Sequence, residues 1–380
     1  MRVVLIAPGP VDHAIACANG LAPHAEVTLI APARLYAGLE RWLDPRITLR
    51  LIGWPRTRSP RNLAMLGWVM GLVRRARPDV IHVLSNTTVW LNAIAPLLRA
   101  QAPLITTVHD VTPHPGDRET LQLPDWTARL MARQSGDLVV HGAGLRDGAA
   151  RRFNKPPSRV HVLPHPAITR YAEAACDMPV APPAPGLRLL LFGRMFAYKG
   201  VDDLLRAEAL LGDRIPGLQL VLAGRGDDPN DLSALMGDPG RYRIHHGFIA
   251  DDHASRLFLD CDVVVLPYAE ASQSGVLMIA ATFGKPVIVT DVGELGSTVR
   301  AAGAGLVVPP RDPAALADAM ALLHDDPALR DRLGQGAAAW ADGPVRPDHV
   351  GARMVALYAL IRQRSDPLGR TDAPRIRQPD

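Results

Sequence analysis

Gly193 and Arg194 close one apolar run, and Lys199 and Gly200 open a helical stretch five residues further on, so two fixed cations converge where a strand gives way to a helix. That arrangement suits an anion. Ligands of parallel sheets bind at the C-terminal ends of the strands, and the free amides of a helix N-terminus add donors aimed at negative charge. A diphosphate is the natural occupant; the plainer alternative is an ordinary turn with two solvated cations. The next run ends in Leu222-Ala223-Gly224-Arg225-Gly226, whose glycines let the backbone approach a ligand at the same edge, although two glycines after a strand are by themselves only turn chemistry.

In the first half, a β-type run over 104–108 leads into His109 and Asp110, with His114 following. Polar residues at such an edge face a cleft, or else form a His–Asp pair that ties down its own loop. His141, His161 and His165 stand near other strand ends, and no His-x3-His spacing links them. They read as loop or core histidines, and no metal site is expected. The turn Pro8-Gly9-Pro10 is not G-x-G-x-x-G, which disfavours a nicotinamide dehydrogenase, while Gly9 is placed to face a ligand.

The order GR-x4-KG, LAGRG, HGF, LP followed by SGV, GKPVI and G-x2-VPP-x-D resembles the retaining glycosyltransferase family 4 over nearly all of residues 187–325. The likeness is looser in the first half, where ITTVHD and the strand pattern match. The resemblance implies a GT-B fold, two facing Rossmann-like domains with the active site in the cleft between them. It gives Arg194 and Lys199 the donor diphosphate, and it assigns phosphate contacts to the backbone of Ser274, Gly275 and Val276. Gly247 and Phe248 would lie against the nucleobase, with Gly193, Gly224 and Gly226 shaping the pocket. His109 would stand near the transferred sugar and the acceptor, with Gly9, Asp110 and His114 on the acceptor side. No cofactor and no metal is implied. The family carries two glutamates eight residues apart where this chain has Ala271 and Ile279; Glu270, offset by one, is expected to replace the first. Their absence motivates a rival reading, a silent protein of the same fold that binds a nucleotide sugar or a partner glycosyltransferase.

These residues need a scaffold that brings many strand ends to one place. Short apolar runs punctuated by Gly, Pro or Asp alternate with helical stretches, the pattern of parallel sheets with crossover helices. Strands are expected at 3–7, 27–31, 47–52, 80–84, 104–108, 138–140 and 160–163, then at 187–192, 218–223, 242–245, 263–266, 287–289 and 305–308. The proline-rich segment 171–186 separates the two series as a linker between an N-terminal acceptor domain, 1–170, and a C-terminal donor domain, 187–345. Helices are expected at 312–323, 327–340 and 347–363, the last packing back toward the N-terminal domain over 346–364, with a loose tail over 365–380.

Apolar residues make up 48% of the 380-residue chain and charged residues 21%, enough to bury two large cores. The charge is uneven: residues 1–170 hold 21 Lys+Arg against 11 Asp+Glu, a net of +10, and the remainder is net −6. A basic half fits nucleic acid, a lipid surface or a phosphorylated acceptor, or is plain arginine-rich surface. It lacks interleaved aromatics, so no nucleic-acid partner is expected. The stretch 62–77 is either a crossover helix with cations completing its C-terminal dipole or a contact with an anionic membrane surface. No run reaches the roughly 18 apolar residues of a spanning helix. Cys17, Cys176 and Cys261 form no Cys-x-x-Cys pair, which speaks against a disulfide framework. The expected place is the cytoplasm or the inner face of the cell membrane, and the expected partners are a nucleotide sugar and a glycan or lipid-linked acceptor.

Overall fold

In the computed structural model, which describes residues 1–112, 124–180 and 186–365, the apolar runs are strands of two parallel sheets. The first holds β1 (Arg2–Ile6), β2 (Glu26–Pro32), β3 (Thr48–Ile52), β4 (Val80–Val83), β5 (Leu104–Thr107), β6 (Asp137–Val140) and β7 (Val160–Val162), ordered β3-β2-β1-β4-β5-β6-β7. The second holds β8 (Arg188–Phe192), β9 (Gln219–Gly224), β10 (Tyr242–His246), β11 (Val263–Leu266), β12 (Val287–Thr290) and β13 (Gly305–Val308), ordered β10-β9-β8-β11-β12-β13. Every expected run is a strand. In each sheet the order reverses beside the first strand, β1 or β8, which opens a crevice at the strands' C-terminal ends. Two Rossmann-like domains in this arrangement make a GT-B fold. Helices cover both faces, and every residue of β4, β5, β6, β11 and β12 is buried, which is why these strands are mostly apolar and do not alternate, with His82, Thr106, Thr107, Asp137 and Thr290 each hydrogen-bonded.

The end of the chain returns to the first domain. Helix Pro347–Ser365 buries Val350, Met354, Tyr358 and Ile361 among Val3, Leu5, Leu21 and Leu29, beneath helix Val11–Leu21. Glycine makes the crossing possible, since a Cβ on Gly351 would collide with the carbonyl of Gly20. Tyr358 also bonds inward, its hydroxyl 2.6 Å from Nδ1 of buried His82, whose Nε2 meets Thr107 Oγ1 at 2.8 Å.

The segment expected as a linker is structured where it begins. Helix Arg170–Ala174 packs on helix Asp251–Asp260, and Tyr171 joins Ile168, Leu190 and Phe258 in a core. The apolar Tyr171 ring, buried there, outweighs the proline-rich composition of the residues after it. His114 and residues 181–185 lie outside the described residues.

Helix Asn62–Ala76 is a crossover helix on one face, with Met65, Leu66, Val69, Met70 and Val73 packed against Val4, Ile6 and Ile81. Its outer face leaves Leu63 and Trp68 each 66% exposed, beside exposed Arg74 and Arg75. Among the described residues no helix is long and apolar enough to cross a membrane.

Candidate active site

The C-terminal edges of the two sheets face each other across a cavity of about 920 Å³. Gly9, Asp12, Asn86, His109 and Asp110 line it from the first domain, and Gly193, Arg194, Gly224, Gly247 and Phe248 line it from the second.

The second wall is built on backbone. Gly193, Gly224 and Gly226 have φ of 111°, 148° and 136°, a region that side chains rarely adopt. A Cβ on Gly224 would collide with the Gly193 carbonyl, and one on Gly226 would stand 2.6 Å from the Met195 carbonyl. The loops after β8 and β9 are thereby locked together, through Met195 N–H to Arg225 O at 2.8 Å and Asp227 N–H to Met195 O at 2.7 Å. Gly224 lines the cavity; Gly226 serves the loop packing behind it. Gly247, with φ of 132°, has open space around it, and Phe248 is 86% exposed, a flat apolar ring presented to the cleft.

Arg194 is half-buried in this wall. Lys199 sits behind it, with Nζ 3.6 Å from the centre of the buried Tyr268 ring, a cation–π contact. The Tyr268 hydroxyl is 3.1 Å from Oγ of Ser274, which caps helix Gly275–Thr282 by accepting from the Leu277 N–H at 3.4 Å. A Cβ on Gly193 would lie 3.5 Å from Val276 Cγ2. The loop after β8 and the start of this helix are therefore adjacent, and the helix's first amides lack intrahelical acceptors. Lys199, Ser274, Gly275 and Val276 stand one layer back from the cavity surface, and Glu270 is exposed outside its lining. Ile279 is 3% exposed, inside the core that holds Phe258 and Leu277.

The first wall gathers histidines. Reading them separately along the chain missed this, because β5, β6 and β7 are neighbours and each is followed by one of them: His109, His141 and His165. Helix Val11–Leu21 supplies a fourth, His13, whose ring meets the other three edge to face at 4.6, 4.9 and 4.8 Å between centres. The signal was available in the common position at strand ends, not in any short repeat. His161 goes elsewhere, with Nε2 2.8 Å from Asp137 Oδ1. Burial pushes the pKa of His13, His109, His141 and His165 below the ordinary imidazole range, His165 to about 4, so these rings are neutral near pH 7.

Arg170, unremarked in the sequence, ties the walls together. Its Nε donates to Asp12 Oδ1 and its Nη1 to Asp251 Oδ2, both at 2.6 Å, one carboxylate from each domain. Burial opposes its charge, but Asp12 and Asp251 more than offset that and raise its pKa. A second bridge is Gln273 Nε2 donating to the His141 carbonyl at 3.1 Å.

Residues 186–326 match the family described as glycosyl transferases group 1, and residues 9–166 match a glycosyl transferase 4-like domain. The chain is 30% identical over 314 residues to a D-inositol 3-phosphate glycosyltransferase of Pseudarthrobacter chlorophenolicus, covering 75% of this chain and 72% of the relative. It is 28% identical over 273 residues to an alpha-D-kanosaminyltransferase of Streptomyces kanamyceticus, covering 68% and 71%. Among solved structures, Anabaena HepE in complex with UDP-glucose superposes with a TM-score of 0.70 at 15% identity, covering 94% of this chain and 99% of that one.

Proposed function

The chain belongs to the group 1 glycosyl transferases and is a glycosyltransferase, and from that premise we propose that its cleft moves a sugar from a nucleoside-diphosphate donor to an acceptor hydroxyl, with retention of anomeric configuration. The observation that carries this reading is Arg194 in the cleft wall beside Gly193, whose loop abuts the N-terminus of helix Gly275–Thr282. As the bond from the anomeric carbon to the diphosphate oxygen breaks, negative charge grows on the leaving group. Arg194, Lys199 and the helix amides stabilise it there without a divalent ion. The acceptor oxygen bonds the anomeric carbon on the same face, and its proton passes to the departing diphosphate oxygen. Phe248 and Gly247 flank the nucleobase, and His109 stands on the sugar side.

The acceptor is a lipid-linked or polysaccharide-precursor glycan handled by the basic first domain at the inner face of the cell membrane. Supporting this are the net charge of +10 over residues 1–170 and the exposed Trp68, Leu63, Arg74 and Arg75 on one helix face. Each basic residue near an anionic surface contributes about 1 kcal/mol.

The test is turnover of a panel of nucleotide sugars with and without a lipid-linked acceptor, in EDTA and then in added magnesium. Transfer that survives chelation is expected. Activity lost to EDTA and restored by a divalent ion would overturn the metal-free account of the diphosphate site. Binding of donors with neither transfer nor hydrolysis would favour the silent binder, the reading motivated by Ala271 and Ile279. Sedimentation with anionic liposomes should weaken with salt and when Arg74, Arg75 and Arg77 become Gln; equal partitioning of both proteins leaves a water-soluble acceptor.

A further inference from the structure

Four segments distant in the chain converge behind the first wall of the cleft. One ring nitrogen from each of His13, His109 and His141 lies within 4.8 Å of the others. The His165 ring centre is 4.8 Å from that of His13 and 5.2 Å from that of His141. Three of these rings have one nitrogen committed to a backbone carbonyl: His109 Nε2 to Leu84 O at 2.9 Å, His141 Nδ1 to Leu163 O at 3.1 Å, and His165 Nδ1 to Pro166 O at 2.7 Å. A carbonyl only accepts, so each of those nitrogens carries the hydrogen. The lone pairs are then on Nδ1 of His109 and on Nε2 of His141 and His165.

The His141 Nε2 lone pair is buried and has no partner among the described residues. Leaving such a group unsatisfied costs roughly 1–3 kcal/mol, so its retention needs a reason. A ring N–H held by a carbonyl with the second nitrogen turned inward is how proteins orient imidazoles toward a metal ion. We infer that His13, His109 and His141, with His165 as fourth donor, form a binding site for one borderline divalent transition-metal ion of the zinc class. A set made only of imidazoles suits zinc, cobalt or nickel and is wrong for magnesium or calcium, which take oxygen. Donors around a tetrahedral zinc stand about 3.3 Å apart, given bonds of about 2.0 Å. The separations among His13, His109 and His141 reach up to 4.8 Å, so binding would draw the rings together. Asp110, which acts electrostatically on His109, supplies nearby negative charge.

This site lies on the wall opposite Arg194 and Lys199, so the ion takes no part in neutralising the diphosphate. It competes for His109 instead. If the proposed reading of His109 holds, occupancy slows transfer while donor binding persists.

The experiment uses untagged, metal-free full-length protein titrated with cobalt and then zinc. One equivalent of cobalt with a tetrahedral visible absorption band, displaced by zinc and untouched by magnesium, is the expected result. His141→Gln and His13→Gln should each weaken cobalt binding at least tenfold. The pair His245 and His253, with rings 4.7 Å apart on the other domain, provides the control, and His253→Gln should leave binding unchanged. X-ray absorption on the native protein needs no variant and should show three or four imidazole nitrogens. The inference is overturned by no stoichiometric binding, by an oxygen or sulfur donor set, or by affinity that depends on His253 and not on His141. These readouts stand apart from activity: metal binding with no effect on transfer leaves the site intact and counts against the role of His109.

Discussion

The two walls of the cleft are made at the same place in two similar sheets, the C-terminal ends of parallel strands, and they are opposite in kind. The wall after β8 and β9 is glycine and backbone, with Arg194 at its surface, Lys199 behind it and a helix N-terminus adjacent. The wall after β5, β6 and β7 presents His109 beside Asp12 and Asp110, backed by the buried, neutral imidazoles of His13, His141 and His165. The glycine wall brings the guanidinium of Arg194 and, behind it, the ammonium of Lys199 to one place. The imidazoles behind the other wall gain charge only by taking up protons or a metal ion, and burial opposes the former. On the proposed reading a diphosphate belongs against the wall after β8 and β9, and the sugar and acceptor against the histidine side. Substitutions on either side can break that division.

The largest effect should come from Arg194→Ala, which removes a cation from the wall proposed to hold the diphosphate. Turnover is expected to fall about a hundredfold or more, about 2.7 kcal/mol of transition-state stabilisation, with the melting temperature unchanged. Lys199→Ala should lower turnover as well, and it also removes a cation from the Tyr268 face. Steady-state kinetics with the best donor decides. Near-normal turnover in Arg194→Ala would place the diphosphate elsewhere and dissolve the distinction between the walls.

Legibility in the sequence divides along the same line. Each element of the glycine wall is a contiguous motif, a strand and the loop that ends it, so Gly193-Arg194, Gly224 and Ser274-Gly275-Val276 stand out by order along the chain. The histidine wall is tertiary. His13 and His165 are 152 positions apart and meet only because β1, β5, β6 and β7 share a sheet and helix Val11–Leu21 crosses their ends. Arg170 was hidden for a related reason: its partners Asp12 and Asp251 belong to different domains, and composition assigned the residues just after it to a linker. Periodicity shows which face of an element is apolar. It says nothing about which elements become neighbours.

The next effect is on that bridge. Arg170→Met leaves Asp12 and Asp251 facing one another without their shared guanidinium. Breaking a fully buried pair costs about 3–5 kcal/mol, but these carboxylates are 29% and 27% exposed and water reaches them, so about 2 kcal/mol is expected. Urea unfolding measures it. A separate loss of cooperativity between the two domains would show that the walls are held in register by this residue; an unchanged midpoint would show that the remaining interdomain contacts suffice.

A smaller effect concerns His82, beneath the histidine wall. Burial lowers its pKa from 6.5 to about 3. The unfolded chain takes up a proton below about 6.5 while the folded protein does not, so stability is full above that pH and falls as pH drops toward 3. One such histidine costs about 1 kcal/mol between pH 6.5 and 5.5. Stability curves at several pH values should be less steep over that window for His82→Gln than for the native chain. Equal slopes would mean that His82 is protonated in the fold and that this side is not neutral throughout.

The smallest effect should come from Glu270, expected from the sequence to stand in for a missing family carboxylate. In the structure it is exposed on the rim, outside the residues that line the cavity. A carboxylate in bulk water acts on a ligand only through a screened field, one largely screened beyond about 10 Å at 0.1 M salt. Touching the donor sugar would require the loop before Ser274 to turn inward, and that loop is held by Ala269 N–H to Tyr198 O at 2.8 Å and by Glu294 N–H to Ser272 O at 3.2 Å. Glu270→Gln keeps the shape and removes only the charge. We expect kcat to change by less than about threefold, under 0.7 kcal/mol, with KM for the donor moving no further. Ser272→Ala, at a buried neighbour in the same loop, is the comparison. If Glu270→Gln falls tenfold or more in kcat while Ser272→Ala does not, the loop closes on the donor and the phosphate wall carries a negative group as well as its cations.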